Sequence, residues 1–304
     1  MKETHAEVGI ELLRAHFSRG VSHLLVDEPY QGLEAYLQGV RVWLASDNSL
    51  LEGVLEQEIE LLSRHREATV SLPGFEWIWR LLWVAQRAKA PRGALPAELE
   101  QLASKGYRFA GPVIVVAGSC AAEEEGIGRY AELLGRALER FTGEVVSGGT
   151  TSGISGVVGE LAGRGHEFTA LGYLPDLLPA DVTADDRYHH HVTTKGEDFS
   201  PLEPMQMWVD LVVSGIEPKD VKVIGIGGGS IAAVEYRAAL ALGAEVAVIE
   251  GSGREADKLL EDKDWLAKGN PLALPPDPTI LLCFVDRQER PLTLKPLEED
   301  ELDL

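Results

Sequence analysis

The sequence predicts an α/β protein with a doubly wound parallel sheet, preceded by an all-helical N-terminal module. From about residue 107 onward, short apolar runs alternate with segments of helical periodicity. Two glycine-rich turns, at residues 147–153 and 225–230, each lie between an apolar run and a helix. Before residue 107, apolar residues recur at helical spacing without strand-like runs. These patterns place the helical module at 1–106, a Rossmann-like domain at 107–290 and an acidic tail at 291–304.

The N-terminal module contains several apolar helical stripes, among them residues 36–44 and 51–62. The aromatic segment 75–83 is interpreted as the core of a small helical bundle, because large aromatic side chains are mostly buried. An interaction surface is the alternative. The sequence does not assign this module a function.

The Rossmann-like domain is expected to contain six apolar strands and the helices between them. Helices are predicted over 128–141 and 205–212, and two more helices are predicted to begin near residues 154 and 230. The predicted strands cover 112–117, 144–147, 169–173, 221–226, 245–249 and 279–285.

The composition excludes some classes of partner. The chain has 49 acidic and 28 basic residues, a formal net charge of −21, which disfavours binding to nucleic acid. A small anion can still bind, because backbone amides act independently of net charge. Cys120 and Cys283 are the only cysteines, which is typical of a reducing compartment. Without a secretory pattern or a long apolar run, we expect a cytoplasmic protein that does not insert into a membrane.

Four small-residue loops follow predicted strands, at the sheet edge where open α/β proteins bind ligands. A glycine turn before a helix directs backbone N–H groups and the helix dipole to one point, which suits a phosphate. The candidate ligand-binding residues in these loops are Gly118, Ser119, Gly148, Gly149, Thr150, Thr151, Gly227, Gly228, Gly229, Ser230, Glu250, Gly251, Ser252 and Gly253.

The second glycine turn alone is similar to a dinucleotide fingerprint. Gly225, Gly227 and Ser230 match G-x-G-x-x-S, and Glu250 ends the next strand, where a ribose-binding acid belongs. This pattern suggests an NAD-dependent oxidoreductase. However, the chain after Glu250 is too short for the second half of a dinucleotide fold, and no substrate domain is recognisable.

Three segments together resemble the SLOG superfamily, and within it the cytosolic N-terminal domain of melastatin-type TRP channels. They are residues 147–154, 227–231 and 249–257, the last containing Gly-Ser-Gly-Arg-x-Ala-Asp. A histidine-containing segment, 188–192, lies between the glycine turns, as in that family. The resemblance covers about residues 110–290. It implies a Rossmann-like domain that binds nucleotide-derived ligands, ADP-ribose among them.

A wider relative is the LOG group of nucleotide phosphoribohydrolases. When the Gly-Gly turns are aligned, Glu235 matches the final acid of the LOG motif, whereas Ile231, Ala232 and Val234 depart from it. The resemblance therefore implies a binding protein without catalytic residues, or, if the chain is a hydrolase, catalysis by Glu235.

We expect a nucleotide sensor that needs no metal. Adjacent strand residues point to opposite faces, so at most His189 and His191 of the cluster 189–191 could share an ion. Ligand binding would change how the helical module packs or associates, with a second copy of the chain or with a partner protein. Hydrolysis of a nucleotide N-glycosidic bond remains the alternative.

Overall fold

A computed structural model describes residues 2–46, 51–67, 72–119, 124–269 and 271–286. Cys120 and the predicted tail at 291–304 lie outside these residues. In the described part of the chain, seven parallel strands form one sheet. They are β1 (Val113–Gly118), β2 (Glu144–Ser147), β3 (Thr169–Pro175), β4 (His190–Thr194), β5 (Val221–Ile226), β6 (Glu245–Ile249) and β7 (Leu272–Leu274).

The strand order is β4-β3-β2-β1-β5-β6-β7, which confirms the predicted Rossmann-like architecture. Strand β1 pairs with β2 on one side and with β5 on the other. The order therefore reverses between β1 and β5, and the helices that follow these two strands pack on opposite faces of the sheet. Such a switch point opens a crevice at the carboxyl ends of the strands.

Helices cover both faces of the sheet. The structure contains α1 (Lys2–Leu25), α2 (Pro29–Leu44), α3 (Glu52–Glu67), α4 (Phe75–Lys89), α5 (Ala97–Leu102), α6 (Glu124–Ala137), α7 (Gly153–Gly163), α8 (Leu202–Val213), α9 (Ser230–Leu242), α10 (Arg254–Glu261), α11 (Lys263–Gly269) and α12 (Pro278–Asp286). Helices α6, α7 and α12 share one apolar cluster, and α8 and α9 belong to the cluster on the other face. None of the helices in the described ranges has the length and hydropathy that a membrane crossing requires.

The N-terminal helices pack onto the α8–α9 face, within the same apolar cluster. Helix α2 contacts α9, and α4 contacts α8. In α4, Ile78 and Trp79 are buried, as the core interpretation of the aromatic segment predicts. On α2, the carboxylate of Glu34 accepts a 2.9 Å hydrogen bond from the indole N–H of Trp265. The helical region therefore shares its core with the sheet domain.

The predicted last strand, 279–285, is wrong, because these residues lie in α12. Asp277 precedes this helix, and its carboxylate accepts hydrogen bonds from the N–H groups of Thr279 (2.8 Å) and Ile280 (3.2 Å). Leu281 and Phe284 are buried while Ile280 is exposed, which is a helical pattern. A short apolar run fits either element, and here the capping carboxylate favours the helix. The last strand of the sheet is instead β7. Helix α6 covers Glu124–Ala137 and so lies nearer the N-terminus than the helix predicted over 128–141.

Candidate functional site

A cavity of about 270 Å³ opens at the switch point between β1 and β5. Its walls come from the ends of β1 and β2, from β3, from the first turns of α8 and α9, and from the residue that begins α10. The lining residues are Val116, Ala117, Gly118, Ser119, Val146, Ser147, Gly148, Thr150, Ser155, Tyr173, Phe199, Glu203, Pro204, Met207, Gly229, Ser230, Ile231, Ala232, Glu235 and Arg254.

The cavity brings together part of the candidate set from the sequence. Gly118, Ser119, Gly148, Thr150, Gly229 and Ser230 line it, and so does Glu235. The other candidates lie outside its lining, namely Gly149, Thr151, Gly227, Gly228, Glu250, Gly251, Ser252 and Gly253. Glu250, considered as a ribose-binding acid, is exposed, and its backbone N–H donates to the carbonyl of Leu274 in the edge strand.

The second glycine turn directs the N-terminus of α9 into the cavity. The first N–H groups of a helix have no acceptor within it, so those of Ser230 and Ile231 are available to a ligand. Gly227 and Gly228, both at positive φ, shape the turn. The N–H of Gly227 donates to the hydroxyl of Ser252 (3.0 Å), which joins this turn to the loop after β6.

The first glycine turn offers fewer free amides than its sequence suggests. The N–H of Thr150 donates to the hydroxyl of Ser155 (2.9 Å), and the N–H of Thr151 donates to the carbonyl of Thr183 (3.0 Å). These two amides are therefore already bonded within the protein. Thr150 lines the cavity, and its hydroxyl is buried and has no hydrogen-bond partner among the described residues.

Gly149 has a packing role in this turn. It has a φ of 75°, and a Cβ built on it would lie 2.8 Å from the Cα of Gly172 in β3. The carbonyl of Gly149 accepts a 3.3 Å hydrogen bond from Nε2 of His191. The close approach of two backbones therefore requires glycine at this position.

Arg254 supplies a positive charge at the cavity rim. It follows Gly253, has a φ of 55°, and its guanidinium donates a 2.8 Å hydrogen bond to the hydroxyl of Ser119. In the part of the chain that the structure describes, no carboxylate lies within ion-pair distance of this guanidinium. Arg254 belongs to the Gly-Ser-Gly-Arg-x-Ala-Asp segment but is not among the ligand contacts predicted from the sequence. The sequence signal for Arg254 was its position directly after the small-residue loop 250–253.

Two carboxyl groups face the cavity from neighbouring helices. Glu203 on α8 is buried and accepts hydrogen bonds from the hydroxyl of Thr194 and the N–H of Ser200 (2.7 Å). Glu235 on α9 has no hydrogen-bond partner among the described residues. Burial, together with the negative charge of Glu203, raises the pKa of Glu235 to about 8. Glu203 belongs to no recognisable sequence motif and is not among the site residues predicted from the sequence.

The remaining wall is mostly apolar. Val146, Tyr173, Phe199 and Met207 contribute to it, and the hydroxyl of Tyr173 is satisfied by a 2.9 Å hydrogen bond to the buried carboxylate of Asp210. An apolar lining with a few directed polar groups is typical of sites for small organic molecules.

The three adjacent histidines make separate contacts. Nδ1 of His189 accepts a 2.9 Å hydrogen bond from the N–H of Ala170, and the ring of His190 packs 4.7 Å from that of Tyr107. Within the described ranges, no group of three or more His, Cys, Asp or Glu side chains is arranged to hold a metal ion.

Comparisons with known proteins give one family match and several structural similarities. The family model described as SLOG in TRPM, prokaryote, matches residues 111–274. The X-ray structure of TM1055, a structural-genomics target, is 24% identical, with a TM-score of 0.37 over 49% of this chain and 81% of that one. The molybdenum cofactor carrier protein from Chlamydomonas reinhardtii is 18% identical, with a TM-score of 0.42 over 58% of this chain and 96% of that one. No curated protein matches this chain.

Proposed function

This chain belongs to the family described as SLOG in TRPM, prokaryote, a nucleotide-related domain, and on that premise we propose that it binds a nucleotide-derived ligand in the cavity at the β1–β5 switch point. ADP-ribose and its smaller relatives are the candidate ligands. The role is that of a sensor, in which occupancy of the cavity is transmitted to the N-terminal helices.

One observation carries this proposal: the N-terminus of α9 and the guanidinium of Arg254 line the same cavity. Free N–H groups, a helix dipole and an arginine that has no carboxylate partner in the described part of the chain together form an anion site. Arg254 also keeps a left-handed backbone conformation, which costs roughly 1 kcal/mol or more for a residue with a side chain. A positive charge held in this way, in a chain of net charge −21, supports the recognition of a phosphate.

The dimensions of the cavity indicate which parts of the ligand lie inside it. We place a phosphate at the N–H groups of Ser230 and Ile231 and at Arg254, with the base and ribose against the apolar wall. Thr150 also lines this cavity, and its buried hydroxyl has no hydrogen-bond partner among the described residues. A cavity of about 270 Å³ is at the small end for a ligand site, so a mononucleotide fits it better than a dinucleotide-sized ligand does. The second half of ADP-ribose would extend beyond the rim.

The first experiment identifies the ligand. The purified protein is heat-denatured and the released small molecules are analysed by mass spectrometry. Melting temperatures are then measured with AMP, ADP-ribose and NAD, because a ligand that binds only the folded state raises the melting temperature. Absence of a released nucleotide, together with unchanged melting temperatures, would contradict the proposal.

The second experiment tests the placement of the phosphate. Arg254→Gln removes one charge-assisted contact, so we expect AMP affinity to fall roughly tenfold to a hundredfold by calorimetry. Arg164→Gln is the matched control, since Arg164 is an exposed arginine paired with Glu160 on α7. Equal affinity of both variants for AMP would show that the phosphate lies elsewhere.

Transmission to the N-terminal helices has a physical route through α8. Met207 faces the cavity, while Gln206 accepts a 3.0 Å hydrogen bond from Nε of Arg80 on α4. Ligand contact with α8 should therefore alter α4, through which a second copy or a partner protein would associate. Amide hydrogen exchange over Phe75–Lys89, with and without AMP, measures this effect. Unchanged exchange under saturation would contradict the sensor role.

Glu235 favours hydrolysis of the N-glycosidic bond as a second candidate function. A carboxyl group that keeps its proton at neutral pH can act as a general acid toward a leaving base. Incubation with AMP, followed by chromatography, distinguishes the two functions. Release of adenine by the wild type and not by Glu235→Gln would support hydrolysis, and unchanged AMP with a raised melting temperature would support sensing.

A further inference from the structure

The cavity contains two carboxyl groups that phosphate binding does not use, and they differ in their hydrogen bonds. Glu203 is only 4% exposed, yet both of its oxygens are satisfied. One accepts from the hydroxyl of Thr194, and the other from the N–H (2.7 Å) and the hydroxyl (3.3 Å) of Ser200. Burial raises the pKa of Glu203, and the three donors act against that rise because they stabilise the ionised form.

Glu235 has the opposite environment. It faces the cavity from α9 and has no hydrogen-bond or ion-pair partner among the described residues. The other titratable or charged groups that line the cavity are Glu203 from α8, Tyr173 from β3 and Arg254 after β6. Tyr173 donates to Asp210 and Arg254 donates to Ser119, and among the described residues neither group makes a hydrogen bond or an ion pair with Glu235.

We propose that Glu203 holds Glu235 in its protonated form, and that protonated Glu235 recognises the base of the ligand by donating a hydrogen bond to a ring nitrogen. This inference rests on the proposed nucleotide-binding function and extends it to the class of base. When two carboxyl groups that face one cavity are both ionised, their charges repel, so the group with fewer hydrogen bonds, Glu235, keeps its proton to a higher pH. The well-bonded member, Glu203, carries the charge.

A protonated carboxyl presents an O–H donor beside a C=O acceptor. This pair complements a ring nitrogen that accepts and an adjacent amino group that donates, as on the N7 and N6 edge of adenine. An ionised carboxylate has acceptors only and would face the lone pair of the ring nitrogen. The structure therefore points to a nucleotide whose base has an amino group beside an accepting ring nitrogen, and the aminopurine adenine, as AMP, is the base that the experiment tests.

The experiment measures AMP binding by calorimetry from pH 7 to pH 9.5, where the phosphate stays dianionic. With burial and Glu203 raising the pKa of Glu235 to about 8, wild-type affinity should fall about thirtyfold over this range. Glu235→Gln keeps a donor and an acceptor, so its affinity should not change with pH. Glu235→Leu has neither group and should bind AMP roughly tenfold or more weakly at pH 7.

Glu203→Gln tests the positioning role, because removal of its negative charge should shift the fall in AMP affinity to lower pH. Glu139→Gln, on an exposed residue of the turn after α6, is the matched control. If Glu203→Gln does not fold, Glu235→Gln still decides the matter, since it leaves the hydrogen bonds of Glu203 in place.

A ligand-free measurement separates this inference from the proposed function. Carboxyl ¹³C NMR of the unliganded protein should show Glu235 titrating near pH 8 in the wild type and lower in Glu203→Gln. A titration in the ordinary range for glutamate would overturn the inference, whatever AMP does. So would AMP binding with the same pH profile in the wild type and Glu235→Gln, although nucleotide binding itself would then stand. If AMP does not bind and Glu235 still titrates near pH 8, the recognition of an aminopurine is rejected.

Discussion

Replacement of Glu235 by glutamine should stabilise the unliganded protein, by an amount that increases with pH. Burial and the charge of Glu203 raise the pKa of Glu235 to about 8 in the folded protein, from 4.5 for an ordinary glutamate. The unfolded chain therefore releases this proton at a lower pH than the folded one. The wild type consequently loses stability as the pH rises from 4.5 to about 8. Glutamine has no proton to lose and avoids this penalty.

The magnitude follows from the size of the pKa shift. Between the two pKa values, the free energy of unfolding of the wild type should fall by about 1.4 kcal/mol per pH unit relative to the variant. From pH 5 to pH 7 the difference in the free energy of unfolding between the two proteins should grow by about 2.5 kcal/mol. The slope is smaller near pH 5, because part of the unfolded chains still carry the proton there. Below pH 4 the contribution of this site should vanish.

Urea denaturation at pH 5, 6, 7 and 8 measures this difference for the wild type and Glu235→Gln. The exposed Glu139→Gln variant reports the effect of the amide substitution alone. If the gap between the wild type and Glu235→Gln were the same at pH 5 and pH 7, Glu235 would not be protonated in the folded protein. The inference about its role in the cavity would fail with it.

Further substitutions test one hydrogen bond of the cavity wall and the backbone packing of the first glycine turn. Tyr173→Phe removes the donor to the buried carboxylate of Asp210 and should cost about 1–3 kcal/mol in urea denaturation; a change within experimental error would show that this bond contributes nothing net. Gly149→Ala adds a Cβ 2.8 Å from the Cα of Gly172 at a φ of 75°, whereas Gly251→Ala meets nothing within 4 Å at a φ of 65°. Gly251→Ala should cost roughly 1–2 kcal/mol for its backbone conformation, and Gly149→Ala clearly more; equal losses would contradict the packing argument.

The fold and the location of the site follow from local patterns. Strands that are buried on both faces need continuous apolar runs, and β1, β5 and β6 have them, so the parallel sheet is predictable from residue spacing alone. The small-residue loops after those strands lie at one sheet edge for the same reason. The segment 279–285 is an exception, because a short apolar run does not distinguish a strand from a helix.

Which residues contact a ligand depends on hydrogen-bond partners that lie elsewhere in the sequence. The amides of Thr150 and Thr151 suit a phosphate by motif, but Ser155 and Thr183 already accept their hydrogen bonds. Gly149 belongs to the same motif and serves backbone packing. Whether an amide is free depends on acceptors elsewhere in the chain, and these are known only once the chain is folded.

The sequence by itself determined a Rossmann-like sheet with glycine turns at its carboxyl edge, and a family resemblance carried by those turns. Only the tertiary structure placed Glu203, Glu235 and Arg254 around one cavity and packed the N-terminal helices against α8 and α9. The physical reason is that periodicity and turn chemistry act over a few residues, whereas burial and the pKa of a carboxyl group depend on whichever distant segments the fold brings together.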